Sequence, residues 1–170
     1  SFEFGLSHEP DYLSRNYAAQ VSRGFASDTL TLNAGLSYFD DVVDTNVHGG
    51  PEFGNQDKRT AEFMFGIHRI LSPKSTVLLN LTYGRPKGYL GDPYKQIGFT
   101  ETFFPGDPVR EFEKLSPYPE NRPDERETFT AYVETTRYFE NLNASLETSY
   151  RFFADDSALR GHTVELHWFQ

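Results

Sequence analysis

Apolar and polar residues alternate along most of this chain. Between Thr29 and Asp40, Leu30, Leu32, Ala34, Leu36 and Tyr38 take one parity, and Thr31, Asn33, Gly35 and Ser37 take the other. The same period recurs in Ala61, Phe63, Phe65 and Ile67. It recurs again in Val77, Leu79, Leu81 and Tyr83, where Leu78 is an exception, and in Phe129, Ala131 and Val133. Ala144, Leu146, Tyr150 and Phe152, then Val164, Leu166 and Trp168, close the series. A period of two held over about 8–12 residues means long strands with one apolar and one polar face. Helical spacing is not sustained anywhere. The pattern predicts eight strands, at about 1–9, 12–25, 29–40, 59–71, 76–85, 127–138, 144–154 and 162–170. All ten prolines fall outside these spans, as expected of residues that cannot donate to a sheet ladder.

The connections alternate in length. Turns at about 26–28, 72–75 and 139–143 are short, and loops at about 41–58, 86–126 and 155–161 are longer, beside a tight Pro10-Asp11. Short turns at one end and longer loops at the other describe an outer-membrane meander. A soluble sandwich shows no such bias, and its strands are nearer 5–6 residues. The expected fold is therefore all-β: a single domain over 1–170, an antiparallel up-and-down transmembrane β-barrel with about eight strands supplied by this chain.

Composition fits that reading once faces are separated. Only 37% of the 170 residues are hydrophobic, which looks soluble, but a transmembrane barrel exposes only alternate residues to lipid. No apolar run approaches the roughly 18–20 residues of a spanning helix. Ser1-Phe2-Glu3-Phe4 is no basic-then-apolar leader, so a signal segment is expected to be removed or to lie outside this stretch. A net charge of −9 without a basic stripe argues against nucleic acid, and zero Cys excludes thiol catalysis, disulfides and thiolate metal sites. Arg15 and Arg23 share parity with Leu13, Tyr17, Ala19, Val21 and Phe25. Arginine at the bilayer midplane costs roughly 2–4 kcal/mol and near zero at the interfaces, so both are placed at rims. Phe25, Tyr38, Tyr83, Phe152 and Trp168 are the expected aromatic girdles.

Candidate chemistry is sparse. His68 and His167, with Glu147 and Glu165, form a conceivable metal set on the polar face; the alternative is lumen polarity satisfied by Arg151 and water. His8 and His162 lie at loop-side strand ends, but no Gly-x-Ser-x-Gly elbow accompanies them, so no enzyme is expected. Asp40-Asp41-Val42-Val43-Asp44 and Asp155-Asp156 are read as solvated acidic loops, with Ca²⁺ or Mg²⁺ as the alternative. The 86–126 loop holds seven of the ten prolines together with Tyr89, Tyr94, Phe99, Phe103, Phe104, Phe112 and Tyr118. That is too aromatic for disorder, and suits a plug, a contact with a neighbouring loop or a platform for a partner. Arg122-Pro123-Asp124-Glu125-Arg126 is expected to pin it to the rim by ion pairs.

Several segments carry a resemblance. They are Asp11-Tyr12-Leu13-Ser14-Arg15, Asp28-Thr29-Leu30-Thr31-Leu32-Asn33-Ala34-Gly35-Leu36-Ser37-Tyr38, Ile70-Leu71-Ser72-Pro73-Lys74-Ser75-Thr76-Val77 and Leu79-Asn80-Leu81-Thr82-Tyr83-Gly84. Gly88-Tyr89-Leu90-Gly91-Asp92-Pro93-Tyr94-Lys95, Glu120-Asn121-Arg122-Pro123-Asp124-Glu125-Arg126 and the stretch from Tyr150 to Leu166 continue it. Together they resemble a family of bacterial outer-membrane β-barrel proteins catalogued only as a domain of unknown function. The resemblance implies a bacterial outer-membrane location, longer relatives of which this chain matches the central part, and gene neighbours encoding thioredoxin-like proteins and a flavin transferase. It supplies no catalytic or flavin-binding residue.

Three functions follow as expectations. The first is a non-enzymatic anchor or scaffold, embedded among outer-membrane lipid and lipopolysaccharide, whose long loop docks an envelope protein. The second is a pore in which Glu62, Glu134, Glu147, Glu165 and Arg151 tune ion selectivity. The third is a soluble carbohydrate-binding β-sandwich with exposed Tyr and Phe.

Overall fold

The computed structural model describes residues 1–45, 54–120 and 122–170. Ten strands form in chain order: β1 (Phe2–Glu9), β2 (Tyr12–Phe25), β3 (Leu30–Asp44), β4 (Asn55–Ser72), β5 (Ser75–Gly88), β6 (Gln96–Phe103), β7 (Phe112–Pro119), β8 (Thr128–Phe139), β9 (Ala144–Asp155) and β10 (Arg160–Phe169). Eight of them make one antiparallel meander in the order β1-β2-β3-β4-β5-β8-β9-β10, and β6 pairs with β7 in a separate hairpin. The chain is all-β and antiparallel, with strands longer than the usual five or six residues. The sheet does not close: β1 and β10 are its two edges.

Two of the three short turns use left-handed backbone. Ala26, Ser27 and Asp28 all have φ between 52° and 63°, and Thr29 closes that turn by donating its N–H and its hydroxyl to the Ala26 carbonyl. A single 3₁₀ turn, Glu140–Leu142, joins β8 to β9 and ends on Asn143 at φ 46°. Asparagine tolerates that region better than most residues.

Four expectations change. The loop expected at 41–58 is shorter, because β3 runs on to Asp44 and β4 begins at Asn55; its residues 46–53, with Pro51, lie outside the described residues. The 155–161 loop shrinks similarly to the four residues between Asp155 and Arg160. The 86–126 segment is not all loop, since β6 and β7 lie within it. Finally, Pro86, Pro117 and Pro119 do sit in strands. Pro86 comes after Gly84, the last β5 residue paired with β8, and there it only accepts a hydrogen bond, from the Arg126 N–H at 3.1 Å. Pro117 and Pro119 lie in a two-stranded hairpin, where each strand has a free edge for the missing donor.

The sheet has no conventional core. Among the described residues only Val43 and Ala144 are buried apolar side chains. Meanwhile Val21, Leu36, Val164 and Leu166 are each more than 60% exposed. The polar face is the better covered one: Asp41 and Ser149 are buried at 3% and 5%, and Gly66 and Gly84 are also buried. This inverts the arrangement of a water-soluble sheet, in which the apolar face is the one removed from solvent.

Candidate functional site

The register turns the alternation into a surface with a defined geometry. One row across the sheet reads Val21, Ala34, Phe65, Leu81, Ala131, Phe152 and His162. The next reads Arg23, Leu32, Ile67, Leu79, Val133, Tyr150 and Val164. All belong to the apolar face. Arginines bound this face at both strand ends, and they do not follow a single row. Near the short turns, Arg69 lies two residues beyond the register partner of Leu32, and Arg137 two residues beyond that of Val77. The line Arg23–Arg69–Arg137 therefore shifts one residue, about 3.3 Å, for each strand spacing of about 4.8 Å. Such a line is level if the strands tilt by about 35°, the lower end of the 35–45° found in membrane barrels.

At the loop end Arg15, Arg59 and Arg85 follow a gentler shift of the same sense. Arg15 to Arg23 on β2 and Arg59 to Arg69 on β4 bracket an apolar band about 22 to 27 Å tall, at that rise and tilt. Of the expected girdle residues, Tyr38 and Tyr83 lie at the loop end of the band. Phe25 lies at the turn end, where Arg23 sits over its ring at 5.2 Å, and Trp168 lies there too, with its ring 6.2 Å from that of Phe139. Phe152 shares a row with Leu81, but at that tilt it too falls at the loop end, level with Tyr38 and Tyr83; its ring lies 5.3 Å from that of His162, whose nitrogen Nδ1 is 2.8 Å from the Tyr150 hydroxyl.

The loop end carries an ion-pair ladder that strand periodicity alone does not reveal. Asp40 pairs with Arg15 at 3.4 Å and Arg59 at 3.5 Å. Arg85 and Lys87 both pair with Glu125, and Arg126 pairs with Asp155. Behind it on the polar face, Asp41 accepts from the Tyr12 and Ser14 hydroxyls, each at 2.6 Å. The acidic run 40–44 is thus strand, not loop. Asp40 and Asp41 point to opposite faces, so these two cannot converge on one cation.

Glu62, Glu134, Glu147, Arg151 and Glu165 all fall on the polar face, with Glu134 accepting from the Tyr132 hydroxyl at 2.5 Å. The conceivable metal set is not assembled. Glu147 is directly across from His167, but His68 lies on β4, four strands away in the sheet order from β10. Among the described residues no cluster of three or more His, Asp or Glu is placed to hold a metal.

The long loop has two parts. Its base folds over the polar face: Tyr89 donates its N–H to the Asp57 carbonyl at 2.9 Å, Gly88 to the Asp124 carbonyl at 2.7 Å, and the Tyr94 hydroxyl bonds Asp11. A cleft of about 480 Å³ remains beneath it, lined by Tyr12, Val43, Lys58, Tyr89, Tyr94 and Arg126 among others. Glu120 ties the two ends of the base by pairing with Lys95 at 2.8 Å and Arg122 at 2.7 Å. The β6–β7 hairpin beyond is self-contained. Ile97, Phe99 and Phe103 share a face with their partners Tyr118, Ser116 and Phe112. Phe103 stacks on Phe112 at 5.1 Å, and Phe99 meets Tyr118 edge-on at 5.7 Å. Glu101 sits within this stripe and accepts from the Ser116 hydroxyl at 2.6 Å and from Tyr118. Phe99, Phe104 and Phe112 are about half exposed.

The loop base should be pH-sensitive. The hydrogen bonds from Lys95 and then Arg122 hold the Glu120 carboxyl below its ordinary 4.5. A depressed folded-state pKa contributes stability that is present above the unfolded value and is lost as pH falls through the folded one. Amide exchange around residues 89–95, corrected for intrinsic rate, is expected to rise as pH drops below about 4.5, and Glu120→Gln should remove most of that dependence. An unchanged pH profile in the variant would assign the effect to another carboxylate.

Comparison with known proteins gives one match. A family model described as "Protein of unknown function (DUF3570)" matches residues 46–170. No curated protein and no solved structure matches.

Proposed function

The chain belongs to the DUF3570 family of proteins of unknown function, and on that premise we propose that it forms the wall of a bacterial outer-membrane β-barrel acting as a non-enzymatic anchor or scaffold for an envelope assembly. The observation that carries this reading is the inverted sheet: large apolar side chains stay exposed on one face while the polar face is the better covered one. The apolar band, about 22 to 27 Å tall, agrees with the ≈25 Å apolar belt of membrane barrels. Lipid holds no water to satisfy an open sheet edge. In the membrane, then, β1 and β10 pair with each other or with further strands. The docking element is the β6–β7 hairpin, whose aromatic stripe is exposed and whose base is pinned to the rim.

A second reading, a cation-preferring pore, draws on the charge of the polar face, where Glu3, Glu62, Glu134, Glu147 and Glu165 outnumber Lys58 and Arg151. Rings of carboxylates favour cations.

Two measurements on the full-length encoded protein test these readings. Migration in cold detergent gels should change on boiling, as a closed barrel's does; a chain without that shift is not such a barrel. Single-channel recording in planar bilayers is then made with the 86–126 loop intact and with it replaced by a short turn. The scaffold reading expects silence from the intact barrel. Steady cation-selective conductance with the loop intact would replace it with the pore, and conductance appearing only after the replacement would make the loop a plug.

A further inference from the structure

The two ends of the apolar band differ in how their cations are neutralised. At the loop end, Arg15, Arg59, Arg85 and Lys87 all have carboxylate partners on neighbouring segments, and Arg160 is the exception among the described residues. At the short-turn end, Arg23, Arg69 and Arg137 are exposed and have no carboxylate partner among the described residues. The carboxylates of that end are committed elsewhere. Glu140 pairs with Lys74 at 2.6 Å, and the Asp28 carboxylate sits over Gly24, on the opposite face from Arg23. Two of the three arginines also lie over an outward-facing ring on the same strand, Arg23 on Phe25 at 5.2 Å and Arg137 on Phe139 at 5.5 Å.

We infer that Arg23, Arg69 and Arg137 form a binding line for the phosphate groups of anionic phospholipids in the leaflet at the short-turn end, the counter-charge coming from lipid where the protein supplies none. The inference rests on the membrane-spanning reading above and specifies one leaflet's lipid. Its chemistry is direct. A guanidinium presents planar paired donors that match a phosphate, and the ring beneath it lies at the depth of an interfacial aromatic belt. Three such groups at one level, spaced two strands apart, meet separate lipids of the annulus rather than chelating one.

The test measures lipid preference with spin-labelled phosphatidylglycerol and phosphatidylcholine around the full-length protein in phosphatidylcholine vesicles. The wild type should hold phosphatidylglycerol in its motionally restricted shell at least about threefold more strongly, in line with the attraction of anionic lipid for interfacial Lys and Arg. About 1 M salt should weaken that preference. The combined Arg23→Gln, Arg69→Gln and Arg137→Gln variant should lose it, and the matching Lys variant should keep most of it. The combined Arg15→Gln, Arg59→Gln and Arg85→Gln variant should also keep it, because those cations are already paired. Retention in the first variant, or loss only in the last, overturns the inference while leaving the barrel intact. Absence of any restricted lipid around the wild type overturns the membrane-spanning reading itself, and this inference with it.

Discussion

Replacing Leu81 by arginine is expected to lower the unfolding free energy of the bilayer-inserted full-length protein by about 2–4 kcal/mol, the range measured for arginine at the midplane of a membrane barrel. That shifts the unfolding constant by about 30- to 900-fold. Leu81 lies on the apolar face between Ala131 and Phe65, near the midpoint between Arg85 and the turn at Ser75. A guanidinium there must drag water into the hydrocarbon or bend toward a rim several residues away. Val77→Arg, on the same strand and face but close to the turn end, should cost about 0–1 kcal/mol. The gradient between the two positions decides the question, because a soluble sheet packed against a second layer would penalise both according to local packing. Denaturant titration in short-chain phosphatidylcholine vesicles measures it. Equal costs at Leu81 and Val77 would remove the band from the bilayer.

How much of this was legible in the sequence depended on whether each residue type agreed with its neighbours. The strand from Tyr12 to Phe25 was readable to the residue, and the β5–β8 pairing lay only one loop removed, because Val77 to Tyr83, Leu78 apart, and Phe129 to Val133 alternate. Ile97 and Phe99 begin the same alternation, but Glu101 interrupts the aromatic stripe and Pro117 and Pro119 argue against a strand. The contradiction disappears only in three dimensions, where Ser116 and Tyr118 satisfy Glu101 and the hairpin leaves free edges for the prolines. Parity assigned His68 and His167 correctly to one face, yet parity carries no information about distance across the sheet. The Glu125 and Arg126 pairs fall in the run expected to pin the loop by ion pairs, but the Asp40 part of the ladder was hidden for the same reason. Arg15, Asp40 and Arg59 are far apart in sequence and meet only through the β2–β3 and β3–β4 registers.

The second large effect is expected at the loop base, from Gly88→Ala. Gly88 ends β5 at φ +94°, and a Cβ there would lie 2.2 Å from the Asp57 carbonyl oxygen and 3.2 Å from its carbon. Both atoms are backbone, so no side-chain rotation relieves the clash. The unfavourable φ alone costs about 1–3 kcal/mol. Moving the segment away breaks the Tyr89-to-Asp57 and Gly88-to-Asp124 hydrogen bonds, each worth about 0.5–1.5 kcal/mol. The combined loss is expected at about 2–6 kcal/mol, concentrated in the 86–95 segment rather than in the sheet, which keeps its own ladder. Gly106 supplies the control. It has φ +83° but nothing within 4 Å of its would-be Cβ, so Gly106→Ala carries the conformational cost without the collision. Cleavage of the 86–126 loop by added protease, with the barrel inserted in vesicles, should therefore speed up strongly in Gly88→Ala and only slightly in Gly106→Ala. On the scaffold reading proposed above, in which the hairpin docks through this base, partner capture should weaken in Gly88→Ala while the heat-dependent gel shift persists. Equal cleavage rates in the two variants would mean that the Asp57 contact does not hold the loop, and the anchoring role would pass to the Glu125 and Glu120 ion pairs alone.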